Sequence, residues 1–311
     1  MKKEYKSGFV AVIGRPNAGK STLINSLIGQ KIVIMSDKPQ TTRNKILCVL
    51  TQENMQVIFI DTPGIHKPLH KLGEYMMRAA QNTLKEVDVI LFLIDATEKI
   101  GSGERYIMKQ LQATKKPVIL VINKIDLLEK SNILPIIAKY EWEYQRNRAA
   151  ENSNSTENQF AAVIPISARE KNNLPELLEE INANLSEGPQ YFPEDMITDQ
   201  PERLIVAELV REKVLLSTRD EVPHAVAVDV DEMATRKNND VYIRATIYVE
   251  RESQKKIVIG TKGALLKQIG AAARTEIEKL LGSKIYLDLW VKVKKDWRDR
   301  ERLLKEFGFN N

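Results

Sequence analysis

One eight-residue stretch constrains the fold more than any other: Gly14–Ser21, GRPNAGKS. It fits G-x-x-x-x-G-K-S, follows the apolar run Phe9–Ile13 and opens the amphipathic stretch Ser21–Leu27. A strand turning through glycines into a helix makes a phosphate cradle. The glycines let the backbone wrap an anion, and successive N–H groups at the helix N-terminus supply positive potential. Such a turn needs a sheet beneath it. Val57–Ile60, Val89–Ile94, Val118–Ile122 and Val163–Ile166 are short Val/Ile-rich runs without strict alternation, the pattern of strands buried on both faces. Helical stretches such as Gly103–Gln112 and Leu174–Leu185 alternate with them. The expected fold is an α/β domain on a mostly parallel, doubly wound sheet. Lys45–Thr51 reads as one more strand, separated from Val57 by so few residues that a hairpin is expected.

The chain has 311 residues, more than one ordinary core holds. Ser186–Leu204 carries three prolines and reads as a linker. The expected division is residues 1–185, a linker at 186–201, and a smaller α+β domain at 202–311. That second part reads helix (Glu202–Leu216), strands (Ala225–Val230 and Val241–Val249), a turn-linked helix pair, a strand (Lys284–Val293) and a basic, helical tail. The polar stretch Arg146–Gln159 reads as a surface loop or frayed helix end. Phe9–Ile13 stops at the glycine loop and reads as a first strand, not a signal peptide. No run of about 18 apolar residues suggests a membrane span. A single cysteine, Cys48, excludes an internal disulfide framework and suits a reducing, cytoplasmic setting. Net charge is +5, but residues 251–311 alone carry +7, which points toward nucleic acid or an anionic surface.

The first glycine loop carries nucleotide chemistry. Lys20 would reach the β- and γ-phosphates and the Ser21 hydroxyl would bind Mg²⁺. The expected contact set is Gly14, Arg15, Pro16, Asn17, Ala18, Gly19, Lys20, Ser21 and Thr22. NKID, at Asn123–Asp126, closes a buried run. Asp126 can accept two hydrogen bonds from the N1–H and amino group of guanine, a donor pair adenine lacks. Asn123 can brace the phosphate loop, and the Lys124 stem can lie over the base. Ser167, Ala168 and Arg169 follow the last strand, where a backbone N–H can reach the guanine oxygen. In DTPG, Asp61 would hold Mg²⁺ through water and the Gly64 N–H would touch the γ-phosphate. Within KPQTTRNK, Thr41 or Thr42 can complete the metal shell only when a γ-phosphate is present, and Thr42 is the chosen residue. Release of that segment on hydrolysis would make it a switch. The catalytic set is therefore Lys20, Thr42, Asp61 and Gly64, with GTP or GDP as ligand. His66 and His70 follow this motif and read as bystanders.

A second glycine turn, IGTKG, has no Gly-Lys-Ser ending. The apolar run Ile257–Ile259 looks strand-like by itself, but with Leu265, Leu266 and Ile269 it reads as a helix–turn–helix around Gly260, Thr261, Lys262 and Gly263. This resembles a type II KH domain, whose GxxG loop clamps single-stranded nucleic acid by its backbone. Lys255, Lys256, Lys267 and Arg274 extend the positive surface. Trp290 and Trp297 are expected in the core or an interface before base stacking.

Taken in order, these motifs resemble the translation-factor class of GTPases, and GRPNAGKS, TTR and DTPGI resemble its Era branch. With REKVLLSTRDEVPHA, the KH loop and LDLWVKVKKDWR, nearly the whole chain is similar to the Era family. The resemblance implies several things. Asn17 would help bind K⁺ beside the phosphates, and Ile65, where Ras-like enzymes have glutamine, implies slow intrinsic hydrolysis. A monomer would bind the 3′ end of small-subunit (16S) ribosomal RNA in assembly of that subunit, with peripheral membrane contact also reported for the family. A membrane or protein effector is the alternative.

Overall fold

A computed structural model describes residues 4–38, 40–64, 70–149, 159–236 and 239–309, with only the backbone at 147–149. Ile65, His66 and part of the Arg146–Gln159 stretch lie outside the described residues. Contacts among the described residues group into two compact units. One lies within Met1–Gln30, Thr42–Lys67 and Met76–Asp199, the other within Lys31–Thr41, Pro68–Tyr75 and Gln200–Asn311.

The first unit is a six-stranded sheet in the order β2-β3-β1-β4-β5-β6. Its strands are β1 (Lys6–Ile13), β2 (Ile46–Gln52), β3 (Met55–Asp61), β4 (Val89–Asp95), β5 (Val118–Asn123) and β6 (Ala162–Pro165). All neighbours are parallel except β2 and β3, which form the expected hairpin through Glu53 and Asn54. Helices α1 (Lys20–Ile28), α2 (Lys71–Glu86), α3 (Ser102–Gln112), α4 (Ile133–Ala149) and α5 (Leu174–Asn184) alternate with the strands. Every residue of β3 and β5 is buried, which explains their unbroken apolar pattern. Register places Val12 beside Asp61 and Asp95 beside Asn123. The motif-bearing strand ends thus open on one edge of the sheet, where α/β folds bind ligands.

The expected linker is bound to this unit. Gln56 accepts the N–H groups of Tyr191 (2.8 Å) and Phe192 (3.0 Å), and the Val49 N–H donates to the Ile197 carbonyl at 2.9 Å. Hydrogen bonds to Gln56 and to β2 hold this irregular stretch in place.

The second unit contains α6 (Glu202–Ser217), β7 (Ala227–Thr235), β8 (Val241–Val249), α7 (Glu252–Ile259), α8 (Ala264–Leu281), β9 (Ile285–Val293) and α9 (Glu301–Glu306). Its sheet runs β7-β8-β9, with β7 and β8 antiparallel and β8 and β9 parallel. Val206, Leu209 and Val210 of α6, Val258 of α7 and Ile269, Ala273 and Ile277 of α8 share one core with Ile243, Ala245 and Ile247 of β8. The run Ile257–Ile259 ends a helix. Packing on the sheet overrides its β-branched propensity.

Candidate functional site

The phosphate loop takes its shape from two glycines that tolerate no side chain. A Cβ on Gly14 would lie 2.3 Å from the Leu93 carbonyl oxygen, and one on Gly19 would lie 2.2 Å from Asn123 Nδ2. Gly19 also has φ 100°, a conformation that favours glycine. At the start of α1, Lys20 turns back and donates to the carbonyls of Gly14 (3.1 Å) and Arg15 (3.0 Å). Burial lowers its pKa to about 8, against the opposing influence of Asp61.

Three oxygen-bearing side chains meet beside this loop. The Thr42 hydroxyl donates to Asp61 Oδ2 at 2.8 Å and the Ser21 hydroxyl donates to the same oxygen at 3.2 Å. The two hydroxyls are 3.2 Å apart. Thr41 does not join them: its hydroxyl donates to the Lys38 carbonyl at 2.6 Å. Asp61 is fully buried, and among the described residues its Oδ1 has no hydrogen-bond partner. Burial raises its pKa, opposed by Lys20 and by hydrogen bonds from Thr42, Ser21 and the Thr62 backbone. An orphaned carboxylate oxygen is costly, and with two hydroxyls it forms a hard donor set that fits Mg²⁺. Among the described residues no cluster of three or more His, Cys, Asp or Glu offers another metal centre.

Asn123 links three loops. Its Nδ2 donates to the Ala18 carbonyl at 2.8 Å, and its Oδ1 accepts the Ala168 N–H at 3.0 Å. The Ser26 hydroxyl ties the Ala168 carbonyl to α1 at 2.7 Å. Lys124 has φ 67° and pairs with Asp95, a residue sequence reasoning missed. Its signal was an aspartate ending the neighbouring apolar run. Burial raises the Asp95 pKa, but hydrogen bonds from Lys124 and Thr97 outweigh that and hold it below the usual carboxylate range. Asp126 is exposed at the mouth of the same loop. Pro16 lies against Gly64, where an added Cβ would come within 3.1 Å of it. Asn17 has φ 67°, and Thr22 is half-buried in the first turn of α1.

Two arginines of the expected set have carboxylate neighbours. Arg15 pairs with Glu98 (2.8 Å) and Glu104 (2.9 Å), so its charge is taken by carboxylates. Arg169 is largely exposed, 3.8 Å from Glu170. His70 lies in the second unit, 3.0 Å from Asp299.

In the second unit α7 ends at Gly260, where a Cβ would lie 2.8 Å from Leu265 Cβ. Thr261 and Lys262 are exposed, and Lys262 and Gly263 have φ 51° and 81°. A groove of about 440 Å³ runs on from this turn. Gly263, Leu266, Lys267, Gly270, Ala271 and Arg274 line one side; Tyr286, Leu287 and Leu289 line the other. Arg274 also pairs with Glu278 at 3.0 Å. Lys255 and Lys256 stand on α7, outside this lining. Trp297 is fully buried and donates to the Ala225 carbonyl at 2.8 Å. Trp290 is 54% exposed, so it is not a core residue.

The comparisons agree with both halves of this geometry. The family description "50S ribosome-binding GTPase" matches residues 9–124, and "KH domain" matches residues 221–298. The chain is 55% identical over 306 residues to GTPase Era of Alkaliphilus metalliredigens (strain QYMF), covering 98% of this chain and 99% of that one. A crystal structure of an Aquifex aeolicus Era variant bound to GDP·AlF4⁻ superposes with TM-score 0.91 at 43% identity, over 98% of this chain and all of that one. An Era in complex with MgGDPNP and nucleotides 1506–1542 of 16S ribosomal RNA gives TM-score 0.90 at 44% identity, over 99% of this chain and all of that one.

Proposed function

This chain belongs to the Era family of GTPases, and from that premise we propose a GTP-hydrolysing switch that binds the 3′ region of 16S ribosomal RNA during small-subunit assembly. The observation that carries the reading is the convergence of Ser21, Thr42 and the Asp61 carboxylate, with its unpartnered Oδ1, beside a glycine loop. These residues would hold Mg²⁺, which neutralises charge developing on the β- and γ-phosphates. Lys20 would exchange its two loop carbonyls for phosphate oxygens. The Gly64 N–H would donate to the γ-phosphate. Asp126 would select guanine, with the Lys124 stem over the base and Asn123 and the Ala168 N–H fixing its pocket. Asn17 would help hold K⁺ near the phosphates.

RNA would lie in the groove between α8 and β9. The Gly260–Gly263 turn would approach the sugar-phosphate chain closely, with Thr261, Lys262, Lys267 and Arg274 at its phosphates and Lys255 and Lys256 adding longer-range attraction. Nucleotide state would reach this unit through Lys31–Thr41, the segment that immediately precedes Thr42. Within the second unit Lys31 pairs with Glu212 at 2.6 Å, and the Met35 N–H donates to Glu212 at 2.7 Å. No helix among the described residues is long and apolar enough to cross a membrane.

The test is to titrate RNA of nucleotides 1506–1542 into the GDP form and into the form with a non-hydrolysable GTP analogue, in KCl and in NaCl, with parallel GTP turnover. The expected result is tighter RNA binding in the triphosphate form and faster turnover in KCl. Equal RNA affinity in both nucleotide states would refute the switch, and equal turnover in both salts would remove the role of Asn17.

A further inference from the structure

The sheet of the second unit is covered by helices on one face. Ile285, Leu287, Leu289, Val291 and Val293 of β9 pack with the core, and alternation sends Tyr286, Asp288, Trp290 and Lys292 to the opposite face. Among the described residues one end of that opposite face is covered: Tyr248 is buried, its ring centroid 5.0 Å from that of Phe307. At the other end Tyr286 is 58% and Trp290 54% exposed.

These rings are held in place. Tyr242 and Tyr286 stack with centroids 5.8 Å apart and planes at 16°. The Arg236 guanidinium lies 4.8 Å from the first ring centroid and 5.4 Å from the second. Asp288 accepts from Trp290 Nε1 (3.1 Å), the Tyr242 hydroxyl (3.3 Å) and Arg244 Nε (3.4 Å). Arg244 also lies 3.6 Å from Glu232, so one guanidinium is shared between two carboxylates. Asp231 accepts from the Thr246 hydroxyl at 2.6 Å on this same face, so the patch carries both signs, with Arg236 and the exposed Lys292 among its cations. Ordered aromatic faces beside cations suit bases and phosphates of a single strand.

Continuity with the groove decides between RNA and a protein partner. β9 is the edge strand, and Tyr286 belongs both to the groove lining and to the open face. A strand leaving the groove across this edge meets Tyr286 first. Trp290 follows four residues along, about 13 Å away. We propose that Tyr242, Tyr286 and Trp290 form a stacking platform for unpaired bases of the same RNA strand, beyond the segment gripped by the Gly260–Gly263 turn. This rests on the RNA-binding reading above.

The test uses the full chain with a non-hydrolysable GTP analogue and RNA of nucleotides 1506–1542. Wild type is compared with Tyr286→Ala/Trp290→Ala, with Tyr286→Phe/Trp290→Phe, and with Thr261→Asp/Lys262→Asp in the groove turn. Circular dichroism and urea midpoints check the folding of each. Stacking is worth about a factor of five or more per base, so the alanine pair should bind at least about 25-fold more weakly. The phenylalanine pair should stay within about threefold of wild type. The slope of log K against log salt should stay unchanged in the alanine pair, because no phosphate contact is lost, and should fall in the groove-turn variant. Alanine-pair affinity within twofold of wild type would overturn the platform, as would equal losses in the alanine and phenylalanine pairs. So would RNA-free dimerisation of wild type that the alanine pair abolishes, because the patch would then serve a second copy. Failure of wild type to bind the RNA would instead overturn the RNA reading, and the platform with it.

Discussion

Asn123 is the residue whose removal best separates bracing of the nucleotide site from reading of the base. Its side chain is 3% exposed and bonds to the Ala18 carbonyl at 2.8 Å and the Ala168 N–H at 3.0 Å. Asn123→Ala strands one acceptor and one donor, each costing about 1–3 kcal/mol when buried and unpaired. Water entering the space left by the amide offsets part of this, leaving about 2–3 kcal/mol. The cost falls on the unliganded protein, because both bonds exist without nucleotide. Chemical unfolding of the nucleotide-free variant should therefore show a loss of about 2–3 kcal/mol in the first unit. Only the part of this cost that the free protein relieves by loosening its loops returns on binding, so GDP and GTP affinity should drop together by about tenfold or less, at 1.4 kcal/mol per factor of ten. Fluorescent-GDP titration with competition by GTP and XTP measures this. Asp126→Asn provides the contrast: it should change the ranking of guanine over xanthine and leave nucleotide-free stability nearly unchanged. If Asn123→Ala lost less than about 0.5 kcal/mol without nucleotide, yet lost guanine selectivity, Asn123 would be a base reader and the bracing argument would be wrong.

Three further outcomes follow. Thr42→Val removes one of the oxygens around Asp61, so Mg²⁺-dependent GTP turnover should fall at least about tenfold while GDP affinity stays within about threefold; equal losses in both would show Thr42 serving the loop alone. Burial raises the Glu276 pKa, but hydrogen bonds from Lys213 and Lys31 outweigh it and hold the carboxyl below its ordinary value. Its contribution is therefore complete above the ordinary glutamate pKa, about 4.3, and is lost as pH falls through the depressed folded value. Glu276→Gln should cost the second unit about 1–2 kcal/mol at pH 7, with the difference from wild type vanishing at lower pH in urea titrations; a difference constant from pH 7 to pH 3 would contradict this. Lys31→Met removes the pairs to Glu212 and Glu276. It should shrink the ratio of RNA affinities between triphosphate and diphosphate forms toward one while preserving nucleotide affinity, and an unchanged ratio would rule out this route of coupling.

Much of this organisation is legible in the sequence because its causes are local. A glycine loop between strand and helix needs only the backbone geometry of its own residues, and GRPNAGKS carries that geometry in its letters. Unbroken Val/Ile runs announce strands buried on both faces, and β3 and β5 are so buried. Parity is a different matter. Trp290 and Trp297 stand in one short stretch, LWVKVKKDW, and no composition rule separates them. Trp290 shares its side of β9 with Tyr286 and Asp288 and so faces out. Trp297 comes after the strand, in a 3₁₀ turn, and is fully buried.

Partners distant in sequence escaped for a related reason. Arg15 sits in the phosphate loop, and proximity alone suggests a phosphate contact. Its actual partners, Glu98 and Glu104, lie more than 80 residues on and depend on where α3 begins. Thr41 and Thr42 are equivalent in the letters KPQTTRNK. What distinguishes them is that the backbone presents Thr42 to Ser21 and Asp61 while Thr41 bonds to its own segment. That difference has a consequence for the switch. Thr42 belongs to the unit with the phosphate loop, and Thr41 to the unit with the Gly260–Gly263 turn. A single peptide bond therefore joins the residue whose hydroxyl meets Ser21 and Asp61 to a segment held by α6. If nucleotide-dependent movement of Thr42 passes along this segment, it reaches the bonds from Glu212 to Lys31 and Met35. This makes the ion pairs of Lys31 a stronger test of coupling than any residue at the phosphates themselves.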